Sequence, residues 1–309
     1  MFKLKDTPTE KYLLKGHPVY VKKEGLCCLE YPYAPPFSKV RGLAQRMEKL
    51  AEQGFKMVGY VETSVSMAGW GVAWLARQYG LEPVIFDPQY VITSERLKRE
   101  AHLRLLLKHR EMWKMFNAKI VPIKAGRAKV NYYIARRYIK KFKKMTILPL
   151  GLPLAETREK TAQIAFKESQ KRDYANVIVN VGSGTICSGV IKGFEKSKAE
   201  IIGVMGRTGS LINKKKEILG WTGLFEKRGG FFGYDKLRLI DPGYQYTQRA
   251  EGSAPFPCHP FYDLKAWKWL EENIEDLEPP VLFWNIGAAP DSFIEEEENA
   301  RSCRQSDKR

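Results

Sequence analysis

The stretch from Val177 to Gly189 constrains the fold of this chain more than any other. Val177-Ile178-Val179 is an apolar, β-branched run of the kind that packs well on a pleated sheet. It leads into Asn180-Val181-Gly182-Ser183-Gly184-Thr185, too rich in glycine and hydroxyls to prolong a strand, and Val190-Ile191-Lys192-Gly193 can then continue as a helix. A strand, a tight turn and a helix start make an anion cradle. Glycines let backbone N–H groups converge, hydroxyls add donors, and the helix N-terminus favours negative charge. A phosphate fits there, held by Gly182, Ser183, Gly184 and Thr185. Neither G-x-G-x-x-G nor G-x-x-x-x-G-K-[ST] is satisfied, which argues against a dinucleotide turn and against a P-loop. By itself the segment reads equally well as a plain strand-to-helix turn.

Elsewhere, apolar runs of strand length alternate with stretches of helical period. Helices are expected over 41–53, 69–79, 94–116, 131–144 and 156–169, and strands over 57–61, 83–86, 119–122, 146–150, 176–181 and 201–204. This alternation predicts an α/β fold with mainly parallel, twisted sheets flanked by helices. Residues 206–248, rich in Gly, Lys and aromatics, read as an irregular flap, and 295–309 as a charged, disordered tail.

Six segments, in order along the chain, carry a family resemblance. Pro36-Phe37-Ser38-Lys39-Val40-Arg41-Gly42-Leu43 resembles an N-K-x-R-K-L segment. Residues 61–88 resemble a strand, substrate loop, helix and next strand, and Ile147-Leu148-Pro149-Leu150-Gly151-Leu152-Pro153 is similar to I-P-x-G-G-x-x. Residues 182–189 match a phosphate loop. Glu251-Gly252 and Tyr262-Asp263-Leu264-Lys265-Ala266 resemble E-G…Y-T-G-K-A, and residues 281–290 resemble V-L-F-x-H-T-G-G-A-P. Together they resemble the aminocyclopropane-carboxylate deaminase and D-cysteine desulfhydrase branch of fold type II pyridoxal-phosphate enzymes, the tryptophan-synthase-β-like family.

The resemblance implies a two-subdomain architecture. A discontinuous cofactor domain would comprise 1–42 and 147–309, with a smaller basic domain over 43–146. It implies pyridoxal 5'-phosphate as cofactor, its aldehyde on Lys39 and its pyridine nitrogen facing Glu251. Read from the residues alone, a salt bridge from Glu251 to Arg249 is equally open, and Lys39 is one surface lysine among many. The substrate loop would contain Ser64, Ser66, Met67 and Trp70, with Ser66 in register with a catalytic serine of the family. Met67 replaces an asparagine and Ala68 the next polar residue, groups that hold the amino acid's α-carboxylate. Ile286 and Ala288 replace a threonine and a glycine. An apolar pocket of Met67, Ala68 and Trp70 would suit a carboxylate that leaves, since its charge disperses in the transition state.

Charge points to the partner. A net charge of +17 over 309 residues concentrates between Arg96 and Lys144. Arg136, Arg137, Lys140, Lys141, Lys143 and Lys144 are the candidate phosphate contacts, interleaved with Tyr132, Tyr133, Tyr138 and Phe142 as stacking platforms. Solvated helix faces would give the same pattern. Five cysteines without C-x-x-C spacing and scattered histidines indicate reduced thiols and no metal site. Without a signal peptide or an apolar span, the expectation is a cytoplasmic protein, in the host cytoplasm if viral, with no membrane. Family likeness implies a homodimer. The preferred reading is a lyase acting on an amino-acid group carried on nucleic acid, for example decarboxylating a modified thymine base in viral DNA. The alternatives are a deaminase or lyase of a free small amino acid, and a non-catalytic nucleic-acid-binding relative.

Overall fold

The computed structural model describes residues 4–223, 227–228, 231–232 and 236–288. A hairpin of β1 (Thr9–Leu14) and β2 (His17–Lys23) leads through a proline-rich stretch to α1 (Val40–Glu52). Next come β3 (Met57–Val61), α2 (Ala68–Gln78), β4 (Glu82–Gln89), α3 (Ser94–Arg99), α4 (Ala101–Met115), β5 (Lys119–Lys124), α5 (Ala128–Ile139) and β6 (Met145–Ile147). These strands form a four-stranded parallel sheet in the order β5-β4-β3-β6.

The chain continues through α6 (Ala155–Ser169), β7 (Asn176–Val181), α7 (Thr185–Gly193), β8 (Glu200–Met205) and α8 (Leu211–Thr222). Two short strands, β9 (Lys227–Arg228) and β10 (Phe231–Phe232), pair with each other. They precede β11 (Leu237–Ile240), α9 (Asp263–Asn273) and β12 (Val281–Asn285). The second sheet has six strands in the order β1-β2-β12-β7-β8-β11, parallel except at the first hairpin. The smaller sheet lies wholly within residues 57–147 and the larger one wholly outside it. The expected boundary at residue 42 falls inside α1, which packs on both α2 and α6.

Burial explains the patterns. Every residue of β7 is buried, as a central parallel strand requires. Val177, Val179 and Val181 face Ile186, Val190 and Ile191 of α7, while Ile178 faces Leu264, Trp267 and Leu270 of α9. Replacing Trp267 by Ala would cost about 3–5 kcal/mol. Helices α6 and α7 touch almost backbone to backbone: a Cβ on Gly193 would lie 2.4 Å from the Ala165 Cβ. Helix α2 is buried from Ala68 to Ala76 because it lies between its sheet and helices α1 and α4.

Three expectations are corrected. The helix predicted over 94–116 is broken at Glu100 (φ −109°, ψ 87°), whose carboxylate accepts two bonds from Arg96, at 2.6 and 2.8 Å. The helix predicted over 131–144 starts at Ala128 and stops at Ile139, so Lys140, Lys141, Lys143 and Lys144 form the turn before β6. Residues 206–248, predicted irregular, contain α8 and β11. Ser210 starts α8 by accepting from the Asn213 N–H at 3.3 Å, and Ile218 and Leu219 are buried. The expected tail at 295–309, and Ala289-Pro290 of the last motif, lie outside the described residues.

Both sheets aim their C-terminal edges at one cleft. Residues following β3, β6, β7 and β12 meet there, where ligands bind in open parallel sheets.

Candidate active site

Lys39 bridges the two sheets. The Ser38 N–H donates to Ile286 O (2.8 Å) and the Ala288 N–H to Pro36 O (3.0 Å), which pins the segment before α1 to the exit of β12. Lys39 then stands at the N-cap of α1, and its partly buried Nζ reaches across the cleft. It donates to Gly151 O (2.6 Å) after β6 and to Ser183 Oγ (3.0 Å) after β7. A carbonyl and a hydroxyl stabilise an ammonium less than a carboxylate would. Burial, and then the nearby charge of Lys214, lower its pKa to about 8. An amine of this kind is a ready nucleophile near neutral pH.

The cradle predicted over residues 182–185 has the required form. Gly184 sits at φ +90°, a left-handed turn that lets α7 begin at Thr185. Ser183 Oγ lies 2.8 Å from Thr185 Oγ1, so both hydroxyls gather at the helix start. A Cβ on Gly182 would meet nothing within 4 Å, which leaves space beside the turn. Lys214 of α8 donates to Ser183 O at 3.4 Å and brings a positive charge. Helix N-terminus, hydroxyls and cation together suit a phosphate, and the Lys39 amine already touches the same turn.

The substrate loop is less polar than its serines suggest. Ser66 Oγ accepts from the Ala68 N–H (3.1 Å). Ser64 is buried and reaches Tyr90. Met67 places its Cε against Gly287. Trp70 turns into the core, its indole N–H donating to Tyr33 O (2.9 Å), so it does not join Lys39 in the cleft. Tyr60 accepts from the Gly151 N–H (3.2 Å), and Tyr246 links Thr63 (2.8 Å) to Tyr262 (3.2 Å) across the opening.

Two buried carboxyls have no site role that the sequence announces. Asp263, at the start of α9, accepts from the N–H groups of Ile286 (3.1 Å) and Gly287 (3.0 Å). Burial raises its pKa to about 7. It therefore abuts the same loop that fixes Ser38, next to Lys39. Glu62, directly after β3, accepts from the N–H groups of Thr63 (2.7 Å) and Gly69 (2.6 Å), and burial pushes its pKa well above the ordinary value. Glu251, by contrast, is exposed in the loop before α9, beside Gly252 and Lys268. Lys265 is a second buried lysine, also lowered to about 8, but it is committed to Gly206 O (2.7 Å) and Gln245 O (3.0 Å). Among the described residues no cluster of His, Cys, Asp and Glu is placed to hold a metal ion.

Known proteins agree with this geometry. The family described as pyridoxal-phosphate dependent enzyme matches residues 10–218. The chain belongs to this family. Its members' cofactor fits the observed groups: an amine of lowered pKa beside a hydroxyl-lined, cationic helix start. The crystal structure of an ACC deaminase homologue superposes with a TM-score of 0.69 at 18% identity, covering 92% of this chain and 89% of that one. A hydrogen sulfide-producing enzyme from Fusobacterium nucleatum gives 0.60 at 16% identity, covering 92% and 96%. Both show the fold type II architecture expected from the sequence. In sequence, the chain is 34% identical over 292 residues to a glycyl-dTMP PLP-dependent decarboxylase of Pseudomonas phage M6, covering 91% of this chain and 98% of that protein. The protein is a pyridoxal-phosphate-dependent lyase.

The basic cluster lies elsewhere. Helix α5 runs antiparallel to the strands it connects, so Arg136, Arg137, Lys140 and Lys141 come at its far end. Lys144 O accepts from the N–H groups of Lys56 and Met57, at the start of β3. The cluster, Lys143 included, is exposed at the sheet edge opposite the cleft, roughly 15 Å away along the strands. The candidate phosphate contacts of this cluster therefore lie on the edge away from the cofactor groups. On the C-terminal edge of the same sheet stand the exposed Lys124, Arg127 and Lys129, at the end of β5 and the start of α5, with the exposed Lys98 and Arg99 of α3 after β4. Among the described residues no helix is long and apolar enough to cross a membrane.

Proposed function

We propose that this lyase removes the carboxylate of a glycyl group carried on a thymine-derived nucleotide, and that the nucleotide is presented within DNA. The observation that carries this reading is the likeness to the phage glycyl-dTMP decarboxylase, which extends over almost the full length of both chains. The net charge of +17 and the basic edge at Lys124, Arg127 and Lys129 support a polymeric, anionic substrate.

The residues divide the work. Ser183, Thr185, the turn at Gly182-Gly184 and Lys214 would hold the phosphate, and Lys39 would take the aldehyde. Asp263, in place of Glu251, would face the ring nitrogen, because it is the buried carboxyl beside the segment carrying Lys39. When bound, pyridoxal phosphate supplies an electron sink for a bond broken next to the substrate's nitrogen. Lys39 would then return a proton at the substrate carbon, its lowered pKa letting the amine give and take one near neutrality. Ser66, held by the Ala68 N–H, would orient the loop over that carbon.

The test uses protein loaded with pyridoxal phosphate and a DNA duplex carrying carboxyl-labelled glycyl-dTMP. Release of labelled carbon dioxide, faster from the duplex than from the free nucleotide, is the expected result. Turnover of free small amino acids with no release from DNA would replace this reading by that of an ordinary amino-acid lyase.

A further inference from the structure

Glu62 carries the furthest-reaching geometry outside the cofactor groups. The residue is 1% exposed. It stands where β3 runs into the substrate loop, and it reaches over that loop to the N-terminus of α2. One oxygen takes the Thr63 N–H and the other the Gly69 N–H, while Ser66 takes the Ala68 N–H. Gly71 N–H already bonds within the chain, to Met67 O. Two of the N–H groups that a helix start ordinarily offers to an anion, those of Ala68 and Gly69, are thus occupied by the protein's own side chains. The absence of a side chain at residue 69 is part of the arrangement, since a Cβ there would collide with Glu62 Oε2. Met67, itself buried, packs its Cε against Gly287.

We propose that Glu62 determines reaction specificity by taking the Gly69 N–H while Ser66 takes that of Ala68, so that the substrate's carboxylate finds neither donor at the start of α2 and is held unsolvated beside Met67. This rests on the decarboxylase reading above. A carboxylate stripped of donors is destabilised relative to a transition state in which its charge is dispersing, which favours its loss over loss of the α-proton. In that step the bond from the α-carbon to the carboxylate breaks and its electron pair passes into the cofactor's conjugated system. Carbon dioxide leaves, and the carbon takes one proton from Lys39 Nζ in its place. If the donors were free, the carboxylate would be gripped, and the bond to hydrogen would become the weaker one.

The experiment compares wild type with Glu62→Ala and Glu62→Gln, all loaded with pyridoxal phosphate. The probes are glycine and glycinamide, which differ only in whether a carboxylate is present. Binding is read from the cofactor's absorbance, and folding is checked by thermal melting. Wild type should bind glycinamide at least as tightly as glycine. Glu62→Ala should shift that ratio at least tenfold toward glycine, with Glu62→Gln moving the same way, as it keeps the side-chain volume and surrenders one acceptor. On labelled glycyl-dTMP DNA the Ala variant should lose kcat for carbon dioxide release while KM falls, and should begin to exchange the α-proton with solvent. An unchanged glycine-to-glycinamide ratio in the variant that folds overturns the proposal. The two readings part cleanly: if the ratio shifts but wild type releases no carbon dioxide from the DNA, the substrate assignment fails and the role of Glu62 in excluding a carboxylate stands.

Discussion

Lys39 is a cation whose visible partners are a carbonyl and a hydroxyl, and its chemistry follows from that. With a pKa near 8 against 10.5 for an ordinary lysine, its neutral fraction rises as pH climbs through 8 and is nearly complete well before a surface lysine would respond. The rate of cofactor attachment to apo-protein should therefore increase with pH and level off above about 8. A plateau only near 10.5 would mean that the amine sits in water. Lys39→Ala should lose covalent attachment and keep its thermal stability, because the side chain spans a cleft and fills no core. Asp263→Asn should alter the absorbance of bound cofactor, whereas Glu251→Gln should leave it untouched; the opposite pattern would restore Glu251 as the ring's partner. At this scale the sequence is half legible. Ser183 and Thr185 stand in a local pattern with a chemical meaning, and Lys39 is picked out by the family resemblance of its segment. Asp263, Glu62, Tyr246 and Lys214 acquire theirs only when strands distant in sequence come together. Glu251 draws attention because the glutamate-glycine pair is the visible motif, and nothing local shows that its loop faces water.

At the scale of elements, β7 matches its predicted span and α7 starts at the turn expected to open a helix, because both signals are strong: a β-branched apolar run and a turn rich in glycine and hydroxyls. The turn makes a sharp prediction. Gly184 sits at φ +90°, and a Cβ there would come within 2.7 Å of Ile218 Cγ1. Gly184→Val should strain the turn, tilt the start of α7, and weaken cofactor binding by at least ~1.4 kcal/mol, about tenfold. Equal affinity, measured by cofactor titration, would reduce the cradle to a plain turn. The helix breaks are less legible. An unbroken helical period through Arg96 and Glu100 hides a break that depends on where β4 delivers the chain. The end of α5 is set by the need to return to β6, which no local residue announces. Helix α8 is hard to see in the sequence because its core contacts are Ile218 and Leu219, too few to outweigh the lysines around them.

For the whole molecule, parallel topology decides which charges matter. Alternation of strands and helices makes the α/β class readable, the family resemblance implies two subdomains, and composition points to an anionic partner. The edge on which each basic residue lands is not readable, since it depends on strand direction. That direction puts Lys124, Arg127 and Lys129 on the C-terminal edge of the sheet, the edge that faces the cleft, and Arg137, Lys141 and Lys144 on the opposite edge. Changing the first three to Gln should lower the salt-dependence slope of DNA binding by about one unit for each phosphate no longer neutralised, and raise KM for a DNA substrate. Changing the second three should leave KM nearly as it was. If the far-edge variant alone loses activity on DNA, the substrate approaches by another route than the cleft.

The central claim is that the cofactor sits in this cleft on Lys39. Borohydride reduction of the loaded protein, followed by mass spectrometry of its peptides, tests it most directly. The account predicts one phosphopyridoxyl group per chain, on the peptide containing Lys39. A group on Lys265 or another lysine, or no group on a protein that still processes its substrate, would contradict it.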